Sequence, residues 1–417
     1  MIFSHGLGGS RNAYSHLTGS LASHGVVVIC PEHRDGSAVV SLIRDPAAKD
    51  RFFTRNTRRV VPYAQIPHAE TSDVWRARDT QLRIRLWELG LIVEAVIGLD
   101  FAMDKLVTSN MNTSTPASAL RQLSQCMDIH EPGKLIFAGH SFGAATIVQL
   151  VKCTYYANRP EIATMLEPLF TPSEGSSIRR IVTARNPTIL LDMWCFPLLS
   201  ATQTSLFRLP LPVYANDVDD APGGAALLAV ESEAFYKWTE HLHVKARLLS
   251  PDPSAHRVSP GGFTGNMSSP SFCYVRDSTH LNQSDFGMLF PRLCRKVFGS
   301  QQPERALRLN LRAFLQVLRA NDCPVARTWS GDLLESDVDG EFASKTGVAR
   351  TLGGKGFDDG TNDDCAILDR SGAARVDAWC FINVVDMGAE SSASEADILA
   401  RGEKEGEEAS DCDGDDP

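Results

Sequence analysis

The segment Gly139-His140-Ser141-Phe142-Gly143 places a serine between two glycines, directly after the apolar run Leu135-Ile136-Phe137-Ala138 and before Ala144-Ala145-Thr146-Ile147-Val148. A buried strand, a G-x-S-x-G turn and a helix in that order make a nucleophile elbow, which presents a serine hydroxyl at the end of a sheet. The pentapeptide alone carries little, because glycine and serine are common residues. The strand before it and the helix after it carry the inference, together with the small residues that a strained turn demands.

A serine nucleophile needs a base, an acid to orient that base, and N–H donors for the oxyanion that forms. His5-Gly6-Leu7-Gly8-Gly9 suits the last need. Arg11 stands where a dinucleotide-binding loop requires glycine or alanine, and the Lys-Ser/Thr pair of a P-loop is missing, so a phosphate cradle is excluded. As an HG-type loop, the segment would offer the Leu7 N–H beside the Phe142 N–H as the oxyanion hole. His280 follows the apolar run 271–275 and suits the base. Two residues compete for the acid: Asp192, after the run 188–191, and Asp217, after the run 211–215, the more usual place for a triad acid. Spacing alone does not choose between them.

These residues must be held by strands and helices, and the first 330 residues alternate the two. The runs 26–30, 134–138, 188–191, 211–215 and 271–275 are short, β-rich and bounded by turn residues, which predicts buried strands. Apolar spacing of three and four predicts helices over 80–103, 142–156, 231–242 and 304–319. The alternation predicts an α/β fold with a mostly parallel sheet covered on both faces.

Charge divides the chain. Residues 331–417 hold 7 Lys and Arg against 23 Asp and Glu, whereas residues 1–330 carry a net charge of +6. The expected organisation is an α/β-hydrolase domain over 1–330 and an acidic, largely disordered tail over 331–417, interrupted by an apolar island at 378–385. That tail is expected to add little to the core. A whole-chain net charge of -10 argues against a nucleic-acid partner. The ten cysteines form no CxxC and no metal-ligand spacing, so neither a zinc site nor a disulfide framework is expected. The most apolar stretch, 89–103, is too short to cross a bilayer and contains Glu94 and Asp100. No signal peptide is visible, which favours the cytoplasm, with secretion open if the natural start lies upstream.

Five collinear segments resemble the platelet-activating-factor acetylhydrolases of the plasma and intracellular type II kind: FSHGLGGSRNAYSHLTGSLASHGVVV, PEHRDGSA, GHSFGAAT, LLDMWCFPL and STHLNQSDF. They span residue 3 to about 286. The resemblance implies an α/β-hydrolase fold whose first strands and lid segment would precede this chain's start. It implies a catalytic triad of Ser141, Asp192 and His280, and so favours Asp192 over Asp217. It implies a metal-independent, cofactor-free hydrolysis of the sn-2 ester of short-chain or oxidised phospholipids, with peripheral contact to a lipid surface. Trp194 and Phe196, beside Asp192, are candidates for the acyl pocket and equally for the core. A general carboxylesterase or polyester hydrolase of the dienelactone-hydrolase type, and an inactive truncated remnant, are the alternative expectations.

Overall fold

The computed structural model describes residues 1–44, 58–101, 116–215, 221–263, 267–299, 302–326, 367–368 and 378–388. Eight strands appear among them: β1 (Ile2–Ser4), β2 (Val40–Arg44), β3 (Arg58–Pro62), β4 (Phe137–His140), β5 (Thr188–Leu191), β6 (Leu227–Ser232), β7 (Ser271–Val275) and β8 (Trp379–Phe381). The main sheet has the order β1-β4-β5-β6-β7-β8, and β2 and β3 form a separate antiparallel pair. From β1 to β7 every pairing in the main sheet is parallel, while β8 runs antiparallel to β7. Parallel sheets must be covered on both faces, and β1, β4, β5 and β6 are buried along their whole length.

Two apolar layers supply that cover. On one face, helices Ser72–Asp100 and Phe142–Tyr155 pack Leu82, Leu86, Leu89, Ile147 and Leu150 against Phe137, Leu190 and Phe272. On the other, helices Ser15–Ser23 and Pro303–Ala320 pack Leu17, Leu21, Leu309, Phe314 and Leu318 against Phe3, Ala138, Ile189 and Val230. Each buried large side chain contributes about 1.5–3 kcal/mol, so such layers dominate the stability of the sheet. The result is an α/β-hydrolase fold.

The predicted runs at 188–191 and 271–275 are β5 and β7. Four expectations change. Residues 26–30 form no extended strand; Ile29 alone bridges Ile2, in parallel. The run 211–215 is a turn around Pro212–Tyr214, because Pro210 and Pro212 have no N–H to donate to a ladder. The sheet uses Leu227–Ser232 instead, so the predicted helix over 231–242 divides into the end of β6 and the helices Glu233–Lys237 and Thr239–Leu248. The helix predicted over 80–103 begins earlier, at Ser72, where the Thr71 side chain accepts the Val74 N–H as an N-cap.

The apolar island of the acidic segment joins the sheet. β8 pairs Trp379 with Val275 and Phe381 with Cys273. Ala378, Trp379, Ile382 and Val384 are buried, as is Ile367. The expectation that this part of the chain adds little to the core does not hold for these residues.

Candidate active site

β4 ends at His140, and Ser141 turns the chain into helix Phe142–Tyr155 with φ 55° and ψ -120°. That left-handed backbone costs a non-glycine residue about 1–3 kcal/mol and persists only where its surroundings enforce it. The Ser141 N–H donates to Leu191 O at 2.9 Å, and Ser141 O accepts from Ala144 and Ala145 N–H. The glycines of the turn are required by space. A Cβ on Gly143 would lie 2.0 Å from Ser4 O, and one on Gly139 would lie 2.5 Å from Gly143 C. Gly6, in the HG loop, faces the elbow so closely that its Cβ would sit 3.0 Å from Ser141 Cβ.

Asp192 follows β5 directly and also has positive φ, 38°. Its N–H donates to Val230 O at 2.8 Å, its Oδ1 accepts the Ser232 N–H at 2.5 Å, and its Oδ2 lies 3.0 Å from His280 Nδ1. The carboxylate is buried, while the His280 ring is 32% exposed, which leaves the imidazole reachable from solvent. The loop carrying His280 is pinned at its start, where Thr279 and Asn282 cap the turn His280–Gln283 reciprocally. Phe235 stacks on the His280 ring at 4.4 Å and 6°, and His140 lies against it at 4.4 Å. Asp217 lies outside the described residues.

The Leu7 and Phe142 N–H groups have no hydrogen-bond partner among the described residues, and neither does the Ser141 hydroxyl. Gly6 N–H donates to the Tyr14 hydroxyl at 3.0 Å, and that hydroxyl hydrogen-bonds His140 Nδ1 at 2.9 Å, so one side chain links the HG loop to the elbow. Burial first, and the neighbouring His280 second, hold the His140 imidazole well below its usual range and therefore neutral. Behind Asp192, the Glu231 carboxyl forms a fully buried ion pair with Lys245. Burial pushes that carboxyl upward, Lys245 opposes the push and Asp192 adds to it.

Trp194 and Phe196 stack at 5.3 Å and 13°, and Phe196 stacks in turn on Trp75 at 5.6 Å. His68 and Phe142 also meet Trp194, at 5.0 Å and 5.9 Å. Both aromatic residues are almost wholly buried in this cluster beside the elbow. His140, Asp192 and His280 each bring a ligand atom within 4.8 Å of the others, a spacing a cation could use. Both Asp192 oxygens are already engaged, however, one by Ser232 N–H and the other by His280, and His140 Nδ1 is engaged by Tyr14. His140 Nε2 is buried without a hydrogen-bond partner among the described residues, and the Asp192–His280 pair has the arrangement of an oriented imidazole base.

Sequence reasoning gave no role to Tyr14, His140, Phe235 or Arg85, because only the fold brings Tyr14 to His140, Phe235 to His280, and Arg85 to His5, Asp35 and Ser37. Arg85 alone left a sequence signal: a charge within the apolar stripe Leu82, Leu86, Leu89.

The fold and the elbow define an α/β-hydrolase. The sequence profile of the family described as platelet-activating factor acetylhydrolase, isoform II, matches residues 1–337, and the chain belongs to that family. It is similar to a Schizosaccharomyces pombe protein named "Putative phospholipase A2", with 29% identity over 336 residues, 77% of this chain and 67% of the relative. It is also similar to the platelet-activating factor acetylhydrolase of Bos taurus, 31% identical over 220 residues, 51% of this chain and 38% of that protein. The Canis lupus familiaris acetylhydrolase is 23% identical over 298 residues, 72% of this chain and 50% of the relative. The chain thus spans about two thirds of the yeast relative and half or less of the two mammalian ones.

Proposed function

We propose that the chain is a serine esterase that hydrolyses the sn-2 ester of short-chain or oxidised phospholipids through an acyl-enzyme. Family membership supports hydrolysis of lipid esters. The observation that carries the mechanism is the buried Asp192 carboxylate 3.0 Å from His280 Nδ1, beside a serine strained into an elbow. With Nδ1 held by Asp192, His280 Nε2 is free to act as the base. Ser141 Oγ attacks the ester carbonyl carbon and its proton passes to His280 Nε2. The carbonyl oxygen becomes an oxyanion that the Leu7 and Phe142 N–H groups stabilise. The carbon–oxygen bond to the glycerol breaks, and the leaving oxygen takes the proton from His280. Water, deprotonated by the same nitrogen, then cleaves the acyl-serine ester and restores Ser141. No step needs a metal or cofactor.

The Trp194–Phe196 cluster would receive the acyl chain. The lipid surface would be met by helix Pro291–Phe298 and the turn before it, where exposed Leu289, Phe290 and Leu293 accompany Arg292, Arg295 and Lys296. No described helix is long and apolar enough to cross a membrane.

The test compares an acetylated phospholipid, a long-chain phospholipid and p-nitrophenyl esters as substrates of the intact chain and of Ser141→Ala. Preferential turnover of the acetylated lipid, lost with fluorophosphonate labelling in the variant, is expected. Turnover of simple esters or polyesters alone would favour a general carboxylesterase. A folded chain that neither turns over nor labels would overturn the esterase reading.

A further inference from the structure

We propose that Arg85 is the positioning residue of the oxyanion hole, a buried fork that holds the HG loop and the elbow in fixed relation; this rests on the reading of Leu7 and Phe142 as the oxyanion donors. Arg85 lies in the middle of helix Ser72–Asp100 and is fully buried. A buried guanidinium must satisfy its charge and its donors, and Arg85 does so with groups that flank both proposed donors.

Around Leu7, Arg85 Nη1 donates to His5 O at 2.9 Å, and Nη2 donates to the Ser37 hydroxyl. The Ser37 carbonyl in turn accepts the Gly8 N–H at 2.8 Å, so the chain is gripped two residues before Leu7 and one after it. Around Phe142, the guanidinium carbon lies 4.3 Å from the ring centroid. Arg85 Nη1 also reaches Thr146 Oγ1 at 3.3 Å, and that hydroxyl donates to Phe142 O at 2.8 Å. One side chain therefore touches the surroundings of both N–H groups.

The fork itself is anchored. Asp35 Oδ2 accepts from Arg85 Nε at 2.7 Å, and Asp35 Oδ1 accepts the Ser37 N–H at 3.1 Å. Behind it, Ser4 Oγ meets His33 Nε2 at 2.9 Å and His33 Nδ1 meets Glu88 Oε2 at 3.0 Å. This copies the connectivity of a serine–histidine–acid relay, but Ser4 and His33 have no exposed surface, so it serves as a wall to the clamp. Burial, and then the Arg85 charge, hold His33 well below its usual range and keep it neutral. Lysine in place of Arg85 would keep the charge and lose the planar fork, and misplacing an oxyanion donor by about 1 Å costs on the order of a hundredfold in rate.

The experiment measures kcat and KM on a soluble ester, affinity for a trifluoromethyl ketone that adds to serine as a charged hemiketal, and the thermal melt. It uses the intact chain, Arg85→Lys, Ser37→Ala and Ser141→Ala. Arg85→Lys is expected to lower kcat by about tenfold to a hundredfold, with KM within about twofold and ketone affinity reduced by the same factor as kcat. Ser37→Ala is expected to move both in the same direction by less. A folded Arg85→Lys protein with full kcat, or a kcat loss without loss of ketone affinity, overturns the assignment. Should Arg85→Lys not fold, Ser37→Ala decides: unchanged kcat and ketone affinity overturn it equally. Turnover or ketone adduct formation that survives in Ser141→Ala would instead overturn the esterase reading.

Discussion

Asp192 and His280 stand 88 residues apart in the chain and 3.0 Å apart in space, joined through Oδ2 and Nδ1. The contact requires β5 and β7 to lie on either side of β6, whose residue Ser232 donates its N–H to the other carboxylate oxygen at 2.5 Å. Three strands thus fix one carboxylate and through it one ring.

Replacing Asp192 with asparagine is expected to lower kcat on a soluble ester by about 10³- to 10⁴-fold, because an amide presents the wrong partner to Nδ1 and changes the tautomer; the comparable change in a serine protease costs about 10⁴. The melting temperature should move much less than the rate. An equal or larger kcat loss in Asp217→Asn would return the acid to the position after the run 211–215.

Trp379→Ala is expected to destabilise the protein by about 2–4 kcal/mol, since it empties a buried aromatic site on the edge of the main sheet. Soluble-ester activity should be lost at lower denaturant concentration, because Arg276 N–H donates to Ala378 O at 2.8 Å just before the His280 loop. A chemical melt identical to that of the parent would show that β8 contributes nothing to the fold.

Lys152 gives a pH prediction. It is fully buried on helix Phe142–Tyr155, with Nζ 3.4 Å from Leu206 O and 3.3 Å from Phe207 O, and burial lowers its pKa to about 7. The unfolded chain takes up this proton near 10.5, its ordinary value, and the folded chain only near 7. Lys152 therefore favours folding above 10.5, and that contribution fades as pH falls towards 7. Lys152→Met should flatten the dependence of stability on pH between 7 and 10. Parallel denaturation curves at pH 7, 8.5 and 10 measure it, and an unaltered slope would contradict the assignment.

The elbow and the HG loop each put their candidate chemistry within a few consecutive residues, whereas Asp192 was preferred to Asp217 only through the family resemblance. β6 was not legible. Leu227–Ser232 ends in Glu231 and Ser232, which reads as the polar start of a helix, and only Lys245 on a later helix makes a buried Glu231 tolerable. The run 211–215 misled in the opposite sense, since its apolar character outweighed two prolines. Arg85 illustrates the wider reason: a charge in a helix normally faces water, and its partners Asp35, Ser37 and His5 lie at least 48 residues away.

β8 also orders events during synthesis. The residues assigned to the chemistry end at His280, and the helix Pro303–Ala320 that covers their sheet follows soon after, whereas β8 begins only at Trp379. At roughly 5–20 residues per second, the free edge of β7 waits on the order of ten seconds for its partner to leave the ribosome. An unpaired edge in a nascent chain is a template for pairing with another copy. The interval before β8 arrives therefore leaves this edge open to such pairing, and slowing translation between residues 321 and 378 is expected to lower the soluble yield.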